Sequence, residues 1–374
     1  MSTPASGLRG VIAGQSRICT VDGIEGKLVY QGYSISDLAE NSNFEETTFL
    51  LWNGRLPTQS ELDSLRADLR ANAALPAPVL NLIRGFPREA KPMDALRTAV
   101  SALGMWDPEG DDDSLDASRR KALRLTAQMP TLVAAIDRMR QGRDVIAPCA
   151  DLDTAGNFLY MLSGETPSAT ATRSLDVALI LHADHELNAS TFSARVTIAT
   201  LADLYSAITS AVGTLSGPLH GGANEGVLRM LDAIGSPEQV ETWVEEKLST
   251  KGARIMGIGH AVYKTTDPRA HHLKGMAQAL AEESGNRRLY EMSIRIEEMV
   301  HAAKGLHPNV DFYSATVYHV LGIPTDLFTP VFAVSRISGW TAHCLEQLAD
   351  NKLIRPRAEY VGPVDLRYVP IGQR

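Results

Sequence analysis

Apolar side chains recur three and four residues apart along most of this chain, the spacing that gives a helix one buried face. Thr58-Gln-Ser-Glu61 is a capping box, and Leu62, Leu65 and Leu69 follow it at that spacing. Ser236-Pro237-Glu238-Gln239 reads as a second box with proline at the first helical position, ahead of Val240, Trp243, Val244 and Leu248. Asp267-Pro268 opens a third helix carrying Leu273, Met276, Ala277 and Leu280, with Gly285 suited to its C-terminal cap. Leu289, Met292, Ile296, Met299 and Val300 mark a further helix ending near Gly305. Gly322 and Pro324 stop the one that begins around Asp311. Strand alternation is confined to Arg17–Tyr30, a short hairpin with its turn near Gly23 to Gly26. No strand–helix alternation, solenoid repeat or low-complexity tract is present, so the pattern predicts a mainly α fold with a short N-terminal β-hairpin.

Composition narrows this picture. The chain has 374 residues, 44% of them hydrophobic, with 36 Lys and Arg against 44 Asp and Glu, a formal charge of −8. That is enough apolar content for a large core, and the acidic balance argues against a general nucleic-acid binder. Nothing matches the uninterrupted apolar run of about 20 residues that a membrane span needs. The first residues, Met1-Ser-Thr-Pro-Ala-Ser-Gly-Leu-Arg9, lack the apolar stretch of a secretory leader. Cys19, Cys149 and Cys344 are odd in number and far apart, as expected of free thiols in a cytoplasmic protein. The acidic run 107–116 lacks the ligand order of a calcium loop and reads as a solvated loop leading into a helix around Arg119 to Gln128.

Histidine is the unusual component: all ten lie between His182 and His343. His182-Ala-Asp184-His185-Glu186-Leu-Asn188 ends an apolar run, and its i, i+3 spacing puts both histidines on one helix face. Two readings stay open there, a pair of core histidines or ligands of a zinc or iron ion. In Gly217-Pro-Leu-His220-Gly221-Gly222-Ala-Asn224-Glu225, the histidine precedes a helix starting at about Ala223, whose positive end disfavours imidazolium. A neutral imidazole there can donate one hydrogen bond to a developing enolate. Gly257-Ile-Gly259-His260-Ala-Val-Tyr-Lys264-Thr-Thr-Asp267-Pro268-Arg269 is neither a dinucleotide fingerprint nor a P-loop. From Lys251 to Lys274 the chain carries five cations against one acid, Asp267, a local stretch suited to phosphate or carboxylate. Asp311, in Pro308-Asn-Val-Asp311-Phe-Tyr-Ser314, places a carboxylate at a helix start. Arg336 and Arg355 are well-separated forks that match a dicarboxylate.

The ordered set DHELNAS, GPLHGGANE, GIGHAVYKTTDPR, PNVDFYS, FAVSR and IRPRAEYVG resembles the citrate synthase family, and the likeness runs from GLRGVIAG through PMDALRTAVSALG to the final RPRAEYVGP. The resemblance implies condensation of acetyl-CoA with oxaloacetate to citrate and CoA, with 2-methylcitrate synthesis from propionyl-CoA as the alternative. Asp311 would remove the acetyl proton, His220 stabilise the enolate and His260 polarise the ketone. His185, Arg269 and Arg336 would bind oxaloacetate, joined by Arg355 from the other subunit of a homodimer. Arg254, Gly257, Gly259 and Lys264 would meet CoA, itself a substrate, with no cofactor and no metal required. Lys264 stands where some relatives carry arginine, which implies a less directional phosphate contact. The implied fold is a helical two-domain subunit: a large domain of residues 1–218 and 324–374, and a small domain 219–323 carrying the catalytic residues. A start directly at the hairpin, without the extra N-terminal domain of larger bacterial enzymes, implies a dimer without strong NADH inhibition. The rival classes are a metal-dependent hydrolase built on His182 and His185 and a helical scaffold without activity.

Overall fold

The computed structural model describes residues 7, 11–260 and 262–374. Met1–Ser6 of the leader reading, Leu8–Gly10 of the GLRGVIAG motif and Ala261 lie outside them. The chain opens on an antiparallel sheet, β1 (Cys19–Asp22), β2 (Lys27–Tyr30) and β3 (Tyr33–Ser34). Cys19 pairs with Tyr30 and Asp22 with Lys27, so the turn falls where the glycines predict. The two-residue β3 is too short to leave an alternating pattern.

Sixteen α-helices follow among the described residues: α1 (Ile35–Asn41), α2 (Phe44–Asn53), α3 (Gln59–Asn72), α4 (Ala77–Arg84), α5 (Pro92–Leu103), α6 (Leu115–Arg140), α7 (Thr154–Ser163) and α8 (Ala169–His182). They continue as α9 (Ala189–Ile198), α10 (Leu204–Leu215), α11 (Ala223–Ile234), α12 (Val240–Ser249), α13 (Pro268–Ser284), α14 (Arg288–Lys304), α15 (Val310–Val320) and α16 (Phe328–Ala349). The fold is mainly α, as the spacing predicts. Nearly every side chain of α16 is buried, which makes it the central rod. It packs on α2, α6, α8, α9 and α10, while α13 and α11 both pack on α15. No helix of the described residues is long and apolar enough to cross a membrane.

Local chemistry sets several helix ends. Both hydrogen bonds of the Thr58–Glu61 box form at α3. Asp267 caps α13 through the Arg269 amide, and Gly285 and Gly305 end α13 and α14 in left-handed backbone. Ser236 departs from the sequence expectation. It makes no side-chain cap, and a 3₁₀ turn, Pro237–Gln239, precedes α12.

Two further expectations are corrected. Helix α6 does not stop at Gln128 but runs through Pro130 to Arg140, because the flanking residues 125–137 are buried and tertiary packing outweighs the lost backbone bond. The acidic run preceding it is not simply solvated. Arg124 grips the buried Asp107 carboxylate with two bonds of 2.7 and 2.8 Å, and Tyr205 donates to the same group. The Lys121 ammonium, wholly buried, donates to the carbonyls of Gly110 and Asp112.

Candidate active site

The first histidine motif is not a helical pair. α8 ends at His182, and His185 sits in the following loop, where Glu186 takes a positive φ of 56°. His182 is a core residue. Its Nδ1 lies 2.8 Å from the Ala178 carbonyl and so carries the proton, its ring meets Phe332 edge-on, and burial pushes its pKa to about 3. His185 instead turns to the His260 loop, with Nε2 3.2 Å from the Tyr263 hydroxyl and its ring centroid 5.6 Å from that of His260. Burial, then the charges of Arg269 and Arg336, hold it well below the usual histidine range. Among the described residues no group of three or more His, Cys, Asp or Glu side chains could hold a metal ion.

His260 lies in the loop before α13. The backbone amides of Val262 and Tyr263 donate to its Nδ1 at 3.0 and 3.2 Å. That ring nitrogen is therefore the acceptor, and Nε2 carries the proton outward. Burial, reinforced by Arg269, lowers its pKa to about 4, so it stays neutral. Gly257 and Gly259, with φ of 74° and 82°, lash this loop to the entry of α15. The Gly259 amide donates to His307 O, and Asn309 bonds Gly257 O and Gly259 O, each at 2.8 Å. A side chain at Gly257 would lie 2.9 Å from the Phe312 backbone.

The lash sets Asp311 beside the His260 loop. Asn309 caps α15 by accepting from the Asp311 amide at 2.9 Å. The half-buried Asp311 carboxyl accepts no hydrogen bond from the described residues. Burial pushes its pKa up to about 6, against the pull of Arg269 and Arg336.

His220 occupies the turn before α11. The Ser190 amide donates to its Nε2 at 3.3 Å, and the Ser190 hydroxyl lies 2.8 Å from the same atom. The hydroxyl also receives the Trp340 indole N–H at 3.0 Å and donates to Asn188 Oδ1 at 2.8 Å. The Ser190 amide can only donate, so Nε2 is its acceptor and the proton is assigned to Nδ1. Burial and then Arg336 lower this imidazole to about 4. Sequence reasoning gave no role to Ser190 or Trp340, although Ser190 and Asn188, which caps α9, both lay inside the quoted DHELNAS motif.

Two of the three arginines expected at oxaloacetate, Arg269 and Arg336, are buried. Arg269 makes a two-point ion pair with Asp267 at 2.8 and 2.9 Å, and Asp267 also accepts from the Val310 amide at 3.1 Å. Arg336 is 1% exposed, donates through Nε to His182 O at 2.6 Å, and leaves Nη1 without a partner among the described residues. Arg355, by contrast, is not brought to them by this chain. It stands exposed on the extended segment after α16. Arg254 and Lys264 are exposed as well.

Three neutral imidazoles, two buried guanidiniums and one carboxyl that accepts no hydrogen bond from the described residues are the kinds of group that acid–base chemistry on an anionic ligand requires. The citrate synthase C-terminal domain model matches residues 7–357. Citrate synthase 2 of Bacillus subtilis is 53% identical over 373 residues, covering all of both chains. A solved structure of citrate synthase from Thermoplasma acidophilum, a ternary complex with carboxymethyl coenzyme A and oxaloacetate, superposes with a TM-score of 0.92 at 35% identity and full coverage of both chains. A 2-methylcitrate synthase of Shewanella oneidensis stands further off, at 41% identity over 99% of this chain and 98% of its own. The chain belongs to the citrate synthase family.

Proposed function

We infer that this enzyme condenses acetyl-CoA with oxaloacetate and hydrolyses the resulting thioester to citrate and CoA. The observation that carries this reading is the Asp311 carboxyl, which accepts no hydrogen bond from the described residues, is tied beside the His260 loop through Asn309, and shares the field of Arg336 with the neutral His220. Asp311 takes a proton from the acetyl methyl. His220 Nδ1–H donates to the thioester oxygen as enolate charge develops, which lowers the barrier without creating a cation. The enol carbon then attacks the oxaloacetate ketone, whose oxygen receives a hydrogen bond from His260 Nε2–H. Water attack on citryl-CoA releases CoA. Arg336, Arg269 and His185 hold the two carboxylates of oxaloacetate, while Arg254, Lys264 and the glycine turn at 257–259 meet CoA. No metal or further cofactor enters these steps.

Thiol release measured with oxaloacetate and either acyl-CoA tests the reading. We expect kcat/KM to favour acetyl-CoA by about tenfold or more, the scale of one methylene in a closed pocket. A higher value for propionyl-CoA would reassign the enzyme to 2-methylcitrate synthesis.

A homodimer completes the site in this proposal, with Arg355 supplied by the partner. Its support is the segment after α16, which exposes Tyr360, Val361, Leu366, Tyr368 and Ile371 to solvent, apolar surface that a lone subunit leaves uncovered. A groove lined by Val11, Ile12, Leu187, Phe192 and Glu346 opens beside the His185 loop. Mixing inactive Arg355→Ala subunits with inactive Asp311→Asn subunits should restore turnover, because each mixed dimer keeps one complete site. No recovery after subunit exchange would place Arg355 outside the partner's site.

A further inference from the structure

The N-terminal hairpin lies in the half of the chain that carries no histidine, yet it touches both loops that present histidines to the ketone substrate. On one side it holds the His185 loop. Tyr30 Oη donates to Asp184 O at 2.8 Å and accepts from the Asp184 amide at 3.1 Å, while Glu186 N–H meets Cys19 Sγ at 3.3 Å. At its tip it meets the segment following His260. The Lys264 amide donates to Gly23 O at 2.7 Å. A β-carbon on Gly23 would lie 2.3 Å from Val262 O, and one on Gly26, where φ is 67°, would lie 2.7 Å from Thr265 Cγ2. The turn is itself tied down by Asp22, whose Oδ1 accepts from the Ile24 and Glu25 amides at 2.9 Å each.

These contacts converge on His260. Val262 and Tyr263, whose amides fix the tautomer of that ring, belong to the segment seated on the tip, and Tyr263 reaches on to His185. We propose that the hairpin tip is the docking surface that sets the His260 loop in register with the His185 loop, with Gly23 and Gly26 as positioning residues. The proposal rests on the assignment of His260 and His185 to oxaloacetate. Contact between the Gly23 carbonyl and the Lys264 amide requires the two backbones to approach closer than any side chain allows. Only glycine meets that demand at position 23, and at position 26 the left-handed backbone adds to it.

Gly23→Ala tests this. An ordinary carbon–oxygen contact is about 3.3 Å or longer, so the added methyl displaces the loop by about 1 Å, a misplacement that can cost about a hundredfold in rate. We expect kcat/KM for oxaloacetate to fall about 30- to 100-fold, with the oxaloacetate KM raised and the acetyl-CoA KM within about twofold of wild type. The melting temperature should hold, and hydrogen exchange of the Lys264 amide should accelerate. Asp22→Asn, which keeps the accepting oxygen, should behave as wild type, whereas Asp22→Ala should show a weaker form of the same defect. Ile24→Ala, at the exposed tip, is the control that leaves both constants unchanged. Unchanged Lys264 exchange and oxaloacetate KM in folded Gly23→Ala would overturn the proposal. So would a kcat loss with both KM values unchanged, the mark of a smaller folded fraction. Amide exchange reads docking without turnover, so a wild-type enzyme that failed to release CoA would sink the functional reading separately.

Discussion

Replacing Asp311 by Asn is expected to lower kcat by about 10²- to 10⁴-fold, the range a positioned general base contributes. The substitution keeps shape and removes only basicity. Asp311 can act because two effects meet at its carboxyl. Its oxygens accept no hydrogen bond from the described residues, and burial pushes its pKa up to about 6. It is thus a stronger base than an ordinary carboxylate but still ionised at neutral pH. Wild-type kcat/KM should fall as pH drops through about 6, and the residual activity of Asp311→Asn should lack that inflection. The stability effect has the opposite sense. A carboxyl whose folded pKa is raised holds its proton in the native state where the unfolded chain has lost it, so its contribution weakens as pH rises from about 4 to about 6. Asp311→Asn should therefore be no less stable than wild type above pH 6. Near wild-type turnover in the Asn variant would exclude Asp311 as the base.

Much of the fold was legible because helix ends are local chemistry. Thr58 with Glu61, Asp267 with Pro268, and Gly285 and Gly305 each act within one turn, so a few adjacent residues suffice to read them. The misreadings share the opposite property. Pro130 stays helical because distant segments bury its surroundings, and the 107–116 run is held by Arg124 and Tyr205, partners that no local pattern announces. His182 and His185 have helical spacing, but Tyr30, about 150 positions earlier in the chain, pins a loop between them. The motifs named His220, His260 and Asp311, yet not what gives each its chemistry. Ser190 sets the His220 tautomer from 30 positions away, and Asn309 ties Asp311 to a glycine turn 50 positions back. The hairpin read only as a short turn, because a glycine turn signals its own geometry and not what docks on it.

Loss of the Arg336 guanidinium should be felt in oxaloacetate binding rather than in CoA binding. The group is wholly buried, its Nε is committed to His182 O at 2.6 Å, and Nη1 has no partner among the described residues. Burial pulls its pKa down, and the Asp184 carboxylate opposes that pull, so the cation persists without direct neutralisation. On the proposed function, a substrate carboxylate would supply the missing acceptor in a dry site, where a charge-assisted bond is strongest. Truncating one partner of a buried charge pair costs about 2–5 kcal/mol. Arg336→Gln should therefore lower kcat/KM for oxaloacetate by about 30-fold to several thousandfold, with the acetyl-CoA KM little changed. Arg336→Lys should not restore it, because a single ammonium cannot hold the His182 carbonyl and reach the ligand as the fork does. Ligand-dependent stability gives a readout free of turnover. Oxaloacetate at about 100 times its Kd should stabilise the wild type by about 2.7 kcal/mol, and that gain should fall below about 1 kcal/mol in Arg336→Gln at the same concentration. If oxaloacetate raised the melting temperature of Arg336→Gln as far as that of the wild type, the buried guanidinium would have no part in holding it.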